Sequence, residues 1–342
     1  MTNKKNIEQF PATRFMGSKQ KILPFILENV KDFKINKVLD AFSGSGCVGY
    51  LFKTMGKEVH SNDFLMYSST ITKATIENNK YTLSKKDVEV LLKINKDHNS
   101  FITNTFKEIY FSEEDNQFLD NTYANIILIK NKYKQAIALA ALARACIKKR
   151  PRGIFTYTGM RYDDGRRDLR LSLKEQFLES VELINASVFD NGKQNKSFNK
   201  DVFKLKNESY DLVYIDPPYC SLHSDNDYSR RYHFVEGLMS NWTHVEIDHS
   251  TKTKKFPTLK SPFDSKTTVY EAFEKLFEKF KDSILVVSYS SNSLPTLEEM
   301  QTIMKKFKSK VIVKELNHKY SFGNQKKGIK NNQVKEYLFI GV

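Results

Sequence analysis

The 342 residues allow one large domain or two ordinary ones, and 40% hydrophobic with 13% aromatic residues supply a buried core that excludes global disorder. Lys and Arg number 55 against 40 Asp and Glu, a net charge of +15 that points to a polyanionic partner. Cys47, Cys146 and Cys220 form no CxxC or Cys/His cluster, which argues against a disulfide scaffold or a structural zinc site. Residues 1–9 are polar and read as no signal peptide, and the most apolar stretch, 136–147, is interrupted by Arg144 and falls short of the ~20 residues of a membrane span. The expected class is a soluble, cytoplasmic, basic protein.

In chain order, KQKILPFILENVKDF after Gly17 carries apolar positions at helical spacing, with Ser18 as its cap. Residues 37–42 (KVLDAF) predict a short buried strand, and Gly44, Gly46 and Gly49 lead into a helix over 48–55. Residues 58–62 predict a second strand ending at Asp63. This succession of strand, glycine loop, helix, strand and acid is of nucleotide-binding type. From about 70 to 180 the pattern is mainly helical, with apolar stripes at 83–94, 123–129 and 136–147. Pro151 breaks it, and TYTGMRY with DDG soon after predicts a β-ribbon with glycine turns. Residues 190–200 read as a polar loop. Strand and helix alternation then resumes: strands at 211–215, 283–288, 310–316 and 336–342, and a helix at 295–306. The expected fold is α/β, a mostly parallel twisted sheet formed by residues 1–75 and 181–342, with a largely helical domain inserted at 76–180.

The charge is concentrated. Residues 148–170 hold eight Lys/Arg against three acids, and residues 305–335 hold ten Lys against one acid. Clustering of this kind is the footprint of phosphate contacts. The first window interleaves arginine with Phe155, Tyr157 and Tyr162, and the guanidinium fork suits phosphates and guanine edges.

The loop Asp40-Ala-Phe-Ser-Gly-Ser-Gly46 lacks the spacing of a dinucleotide site and the Lys-Ser/Thr of a P-loop, yet its glycines permit close backbone approach to a ligand. Asp63 is placed to accept ribose hydroxyls. Asp216-Pro217-Pro218-Tyr219 is the sharpest signal. Two prolines fix φ, remove two N–H donors and leave carbonyls that need outside partners. A carboxylate and a carbonyl so placed can accept both hydrogens of an exocyclic amine, whose lone pair is otherwise delocalised into its ring. Tyr219 offers a flat face for a base, and its hydroxyl is assigned no role.

RFMGSK (Arg14–Lys19), DAFSGSG, SNDF, NKDVF and DPPY, in that order, resemble the D12 or α-group class of DNA N6-adenine methyltransferases, a Dam-like arrangement that extends to the final NNQVKEYLFIGV. The resemblance implies a Rossmann-like S-adenosylmethionine-dependent methyltransferase sheet at 1–75 and 181–342 and a target-recognition insertion at 76–180. It implies cofactor contacts from Phe15, Lys19, Asp40, Phe42, Gly44, Gly46, Asp63, Asp201, Val202 and Asp216, and catalysis by Asp216, Pro217, Pro218 and Tyr219, with no metal. RPRGIFTYTG resembles the family's DNA-reading ribbon but carries Thr156 where Asn is usual. Residues 231–237 resemble the mobile segment after the tetrapeptide in some members. The expected DNA contacts are Arg152, Tyr157, Arg161, Arg166, Arg167, Lys326 and Lys327.

The implied reaction is direct methyl transfer to adenine N6 in double-stranded DNA, with the base flipped from the stack at a cost of a few kcal/mol. None of the three cysteines follows a proline, as cytosine C5 chemistry would usually need. Alternatives are methylation of an RNA base or a protein glutamine amide, or a catalytically silent DNA-binding subunit. The chain is expected to act as a monomer beside a cognate restriction endonuclease.

Overall fold

A computed structural model describes residues 7–221, 227–319 and 333–342. A seven-stranded sheet consists of β1 (Lys37–Asp40), β2 (Glu58–Asp63), β3 (Lys196–Asn199), β4 (Leu212–Ile215), β5 (Ile284–Ser290), β6 (Val311–Lys319) and β7 (Gln333–Gly341). The longer helices are α1 (Leu23–Val30), α2 (Cys47–Thr54), α3 (Met66–Thr72), α4 (Lys85–Leu91), α5 (Glu113–Ile126), α6 (Lys132–Lys149), α7 (Leu173–Ser187), α8 (Tyr228–Leu238), α9 (Val269–Lys279) and α10 (Leu297–Lys305).

The strand order is β3-β2-β1-β4-β5-β7-β6. The first five pair in parallel, and β7 runs antiparallel between β5 and β6. The order reverses between β1 and β4, so their carboxyl ends flank the crevice in which open α/β sheets bind ligands. Successive residues of a strand face opposite sides. Val38, Tyr214, Val286 and Ile340 therefore pack under α1 and α2, while Leu39, Val213, Val287 and Phe339 pack under α9 and α10. Both faces are covered, which is why the central strands read as unbroken apolar runs.

Helices α3 to α7 all fall between β2 and β3 in the chain. They pack with α8 around a third apolar cluster that includes Phe106, Leu119, Leu142, Phe155, Phe177 and Trp242. Their starts follow local capping chemistry: Ser84 with Asp87 and Ser172 with Glu175 form capping boxes, and Asn131 caps α6. Ser18 accepts from the Gln20 N–H at 3.4 Å, as its capping position predicts. The Arg144 that interrupts α6 is buried, donating to Ser180 Oγ and to the Ala12 carbonyl. Among the described residues no helix is long and apolar enough to cross a membrane.

Two expectations fail. Residues 196–199 form the edge strand β3 rather than a polar loop. Its register, His60 opposite Lys196 through Asp63 opposite Asn199, is set by β2, and only its middle residues are half-covered, so it lacks a core strand's apolar run. The β-ribbon is absent, for residues 151–166 contain no strand. Arg150, 0% exposed, takes the carbonyls that a ribbon would pair: it donates to Tyr110 O at 3.3 Å, Gly159 O at 2.8 Å and Tyr157 O at 2.8 Å. The Phe155 and Gly159 N–H groups go to the Arg231 and Ile109 carbonyls. The expected turns at Gly159 and Gly165 are present, both with positive φ, and Gly153 adds a third. Residues 231–237 lie inside α8, where Tyr232, Phe234 and Val235 join the third cluster.

Candidate active site

The site starts where β1 ends. Asp40 Oδ2 accepts the Gly49 N–H of α2 at 2.9 Å, while Asp40 Oδ1 is buried with no hydrogen-bond partner among the described residues. The glycine loop turns back towards β2, and the Gly44 N–H meets Asp63 Oδ2 at 2.8 Å. Asp63 Oδ1 accepts the Leu65 N–H at 2.9 Å. The acid at the end of β2 is thus fixed by the loop it faces. Gly44 has φ +50°, and a Cβ there would lie 3.1 Å from the Phe15 ring, so glycine allows both the turn and the approach of Phe15. Phe15 is held from behind by Tyr232, stacked at 5.0 Å and 9°.

Across the crevice β4 delivers Asp216. Lys19, 4% exposed, donates to Asp216 Oδ1 at 2.8 Å, to Tyr219 Oη at 2.7 Å and to the Gly17 carbonyl at 3.1 Å. Tyr219 Oη also lies 3.1 Å from Asp216 Oδ1 and 2.9 Å from Glu336 Oε1 on β7. The first motif of the chain and the tetrapeptide, 197 residues apart, therefore meet in one ion-paired cluster.

These groups border a cleft of about 1160 Å³, its solvent-open part included. Phe15, Lys19, Asp40, Phe42, Gly44, Asp63, Asp201, Val202, Asp216 and Pro218 all line it. Gly46 lies just behind, as the cap of α2, and Tyr219 reaches the cluster through its hydroxyl. Burial pushes the Asp40 carboxyl up to about 8, helped by the nearby Asp216 charge. Burial also raises Asp63 to about 6 against its two N–H bonds, and Asp216 to about 6 against the Lys19 ammonium. A cleft that strains several carboxylates in this way favours a cationic ligand rich in donors.

Residues 15–303 match the family described as D12 class N6 adenine-specific DNA methyltransferase. The chain belongs to that class. It is 29% identical to the Type II methyltransferase M2.HphI of Haemophilus parahaemolyticus, over 96% of this chain and 98% of that protein. It is 27% identical to the modification methylase StsI of Streptococcus sanguinis and 29% identical to the Type II methyltransferase M.FokI of Planomicrobium okeanokoites, over 95% and 85% of this chain. In those two the match spans about half of the longer protein, 51% and 46%.

In this D12-class methyltransferase the basic window does not line the cleft but adjoins its wall. Arg14, one residue before Phe15, donates to the Lys148 and Arg150 carbonyls at 3.1 and 2.7 Å and pairs with Asp168 at 2.5 Å. Arg152 lies 3.6 Å over the Tyr162 ring, which meets Tyr157 edge-on. Arg166 is paired with Asp164, and Arg167 with Glu179. Lys326 and Lys327 lie outside the described residues.

Sequence reasoning misses Phe64, Glu236 and Glu336. Phe64, 51% exposed, lines the cleft directly after Asp63; an aromatic following a strand-ending acid is the signal that could have found it. Glu236 accepts the Met66 and Tyr67 N–H groups, both at 2.9 Å, and so ties α8 to the start of α3. Glu336 carries no local signal, because only the sheet order brings β7 beside the tetrapeptide.

Proposed function

We propose that the chain is the modification enzyme of a restriction–modification system, transferring the methyl group of S-adenosylmethionine to N6 of an adenine at a specific site in duplex DNA. The observation that carries this reading is the meeting of Lys19, Asp216 and Tyr219 beside the glycine loop and Asp63. The names of the relatives, Type II methyltransferases and modification methylases, support the role.

S-adenosylmethionine suits the residues present. Asp40 Oδ1 and Asn62 Oδ1 are buried without partners among the described residues, and Asp40, Asp63 and Asp216 face one cleft. Phe64, Val202 and Phe203 add apolar faces for a purine. In this reading Asp63 accepts the ribose hydroxyls, Asp201 and Val202 hold the adenine, and Phe15, Asp40, Phe42, Gly44 and Gly46 surround the methionine moiety. When bound, the cofactor supplies an electrophilic methyl group on a sulfonium.

The chain's own residues prepare the nucleophile. Tyr219 stacks on the flipped target base. Asp216 and the Pro217 carbonyl accept the two amino hydrogens, which draws N6 towards tetrahedral geometry and exposes its lone pair. Pro218 fixes the turn that holds both acceptors. Lys19 keeps Asp216 ionised in spite of its burial. As the methyl group arrives, one N6 proton leaves, and the Asp216 carboxylate is the base in contact with it. Residues 76–180 serve as the target-recognition domain, with Arg152, Tyr157, Arg161, Arg166 and Arg167 against the DNA. Methyl-resolved sequencing of DNA from cells expressing the chain tests this: N6-methyladenine should appear at one sequence, and Asp216→Ala should abolish it. Methylation by Asp216→Ala at the wild-type rate would remove the tetrapeptide from the chemistry.

A further inference from the structure

Glu336 has no part in the reading above. It lies on β7 between Ser290 of β5 and Leu316 of β6 and is 1% exposed. A carboxylate buried so deeply needs donors. Its Oε1 accepts from Tyr219 Oη at 2.9 Å and from Ser288 Oγ at 3.0 Å, and faces Lys19 Nζ at 3.5 Å. Ser288, Tyr214 and Glu336 share the sheet face that packs under α1 and the short helical turn before it, Lys19–Ile22, so the cluster is fixed by strand register.

The geometry poses a question of proton supply. A phenol carries one proton, yet Tyr219 Oη lies within bonding distance of both Asp216 Oδ1, at 3.1 Å, and Glu336 Oε1, at 2.9 Å. Lys19 donates to that oxygen at 2.7 Å, so the phenolic proton itself can serve only one carboxylate. The shorter contact is to Glu336. Asp216 Oδ1 then keeps Lys19 as its donor, and its remaining acceptor capacity stays available to substrate. Without Glu336 the phenolic proton turns to Asp216, which uses an acceptor site of the catalytic carboxylate and moves the point at which the Tyr219 ring is anchored towards it.

We propose that Glu336 is a positioning residue for methyl transfer, which takes the Tyr219 hydroxyl proton and so fixes the stacking ring and reserves Asp216 for the amino group. This rests on the assignment of Asp216 and Tyr219 to the target base.

The test is single-turnover transfer of labelled methyl groups to unmethylated plasmid DNA. Wild type and Asp216→Ala run beside the variants, and an inactive wild type or an active Asp216→Ala would fail that assignment rather than this proposal. Glu336→Gln keeps the shape and leaves Tyr219 a neutral amide oxygen in place of a charged acceptor, and it should slow transfer about tenfold, as exchanging a charge-assisted hydrogen bond for a neutral one implies. Cofactor affinity and DNA affinity should stay close to wild type, and any fall in melting temperature should leave the enzyme folded at the assay temperature. Tyr219→Phe removes that hydrogen bond together with the hydroxyl's contacts to Lys19 and Asp216, so it should be slowed at least as much as Glu336→Gln, and the double variant should be no slower than Tyr219→Phe alone. A Glu336→Gln enzyme at the wild-type rate, or losses that multiply in the double variant, would overturn the proposal. Should Glu336→Gln fail to fold, Tyr219→Phe at the wild-type rate overturns it alone.

Discussion

Asp63 and Asp216 are two carboxylates whose acidity burial shifts the same way, yet they should report at different steps. Each is raised to about 6, above the ordinary carboxylate value, so the folded chain holds its proton more tightly than the unfolded one. The stability these groups contribute is present at low pH and is lost as pH rises through about 6. A bound cation reverses the sign, because it favours the ionised forms. S-adenosylmethionine should therefore raise the melting temperature more at pH 7.5 than at pH 5.5, and equal shifts would contradict a carboxylate-lined cationic site. Asp63→Ala should weaken cofactor binding by about 2–3 kcal/mol through the loss of two charge-assisted hydrogen bonds, with the fold retained. Unchanged affinity by calorimetry would remove Asp63 from the site. Below about pH 6, turnover at saturating cofactor should fall as Asp216 takes up a proton, tenfold per pH unit.

The loop after Pro151 shows how an element can owe its shape to one side chain. Arg150 holds the Tyr110, Tyr157 and Gly159 carbonyls, and Tyr110 Oη lies against Phe155 O, His233 and the Thr253 carbonyl. Arg150→Met takes the donor from those carbonyls at the border of the third apolar cluster, where the Tyr110 carbonyl is buried, and it should destabilise the chain by about 3 kcal/mol. Cofactor affinity should survive, since the glycine loop and Asp63 lie on the sheet, while DNA binding should drop. Equal loss of both would mean that the loop is not a separate element. This contact also marks the limit of what the sequence shows. Strands β1, β2, β4 and β5 are legible because both of their faces are buried, and the tetrapeptide is legible because two prolines after such a strand have few structural uses. The ribbon is misread because TYTGMRY alternates like a strand, while the partner of its carbonyls is an arginine whose burial no local pattern reveals. Edge strand β3 and Glu336 fail to stand out for a related reason: their meaning comes from neighbours distant in the chain.

At the scale of the whole molecule, the net charge matters less than which arginines are already paired. Arg14 bonds the N-terminal motif to the end of α6 and to Asp168, so the basic window and the cleft are mechanically joined. Within the window, Arg166 and Arg167 face Asp164 and Glu179, whereas the exposed Arg152 and Arg161 lie over Tyr162. A phosphate approaching Arg166 meets the Asp164 carboxylate as well, and exposed pairs of this kind add little to stability. Arg152 and Arg161 have no such competitor among the described residues. Each arginine that neutralises one phosphate contributes about 0.9 to the slope of log affinity against log salt concentration. Replacing Arg152 and Arg161 together by Ala should therefore flatten that slope by up to about 1.8. Arg166→Ala leaves Asp164 uncompensated and should weaken binding at every salt concentration. Asp164→Asn should do the reverse, strengthening binding and steepening the slope by releasing Arg166 to a phosphate. Titrations of the wild type and these variants on duplex DNA from 50 to 200 mM salt, a range over which several phosphate contacts change affinity by orders of magnitude, read all three effects. An Asp164→Asn enzyme that binds DNA no more tightly than wild type would place Arg166 away from the backbone, and a wild-type slope near zero would remove the basic window from the DNA interface.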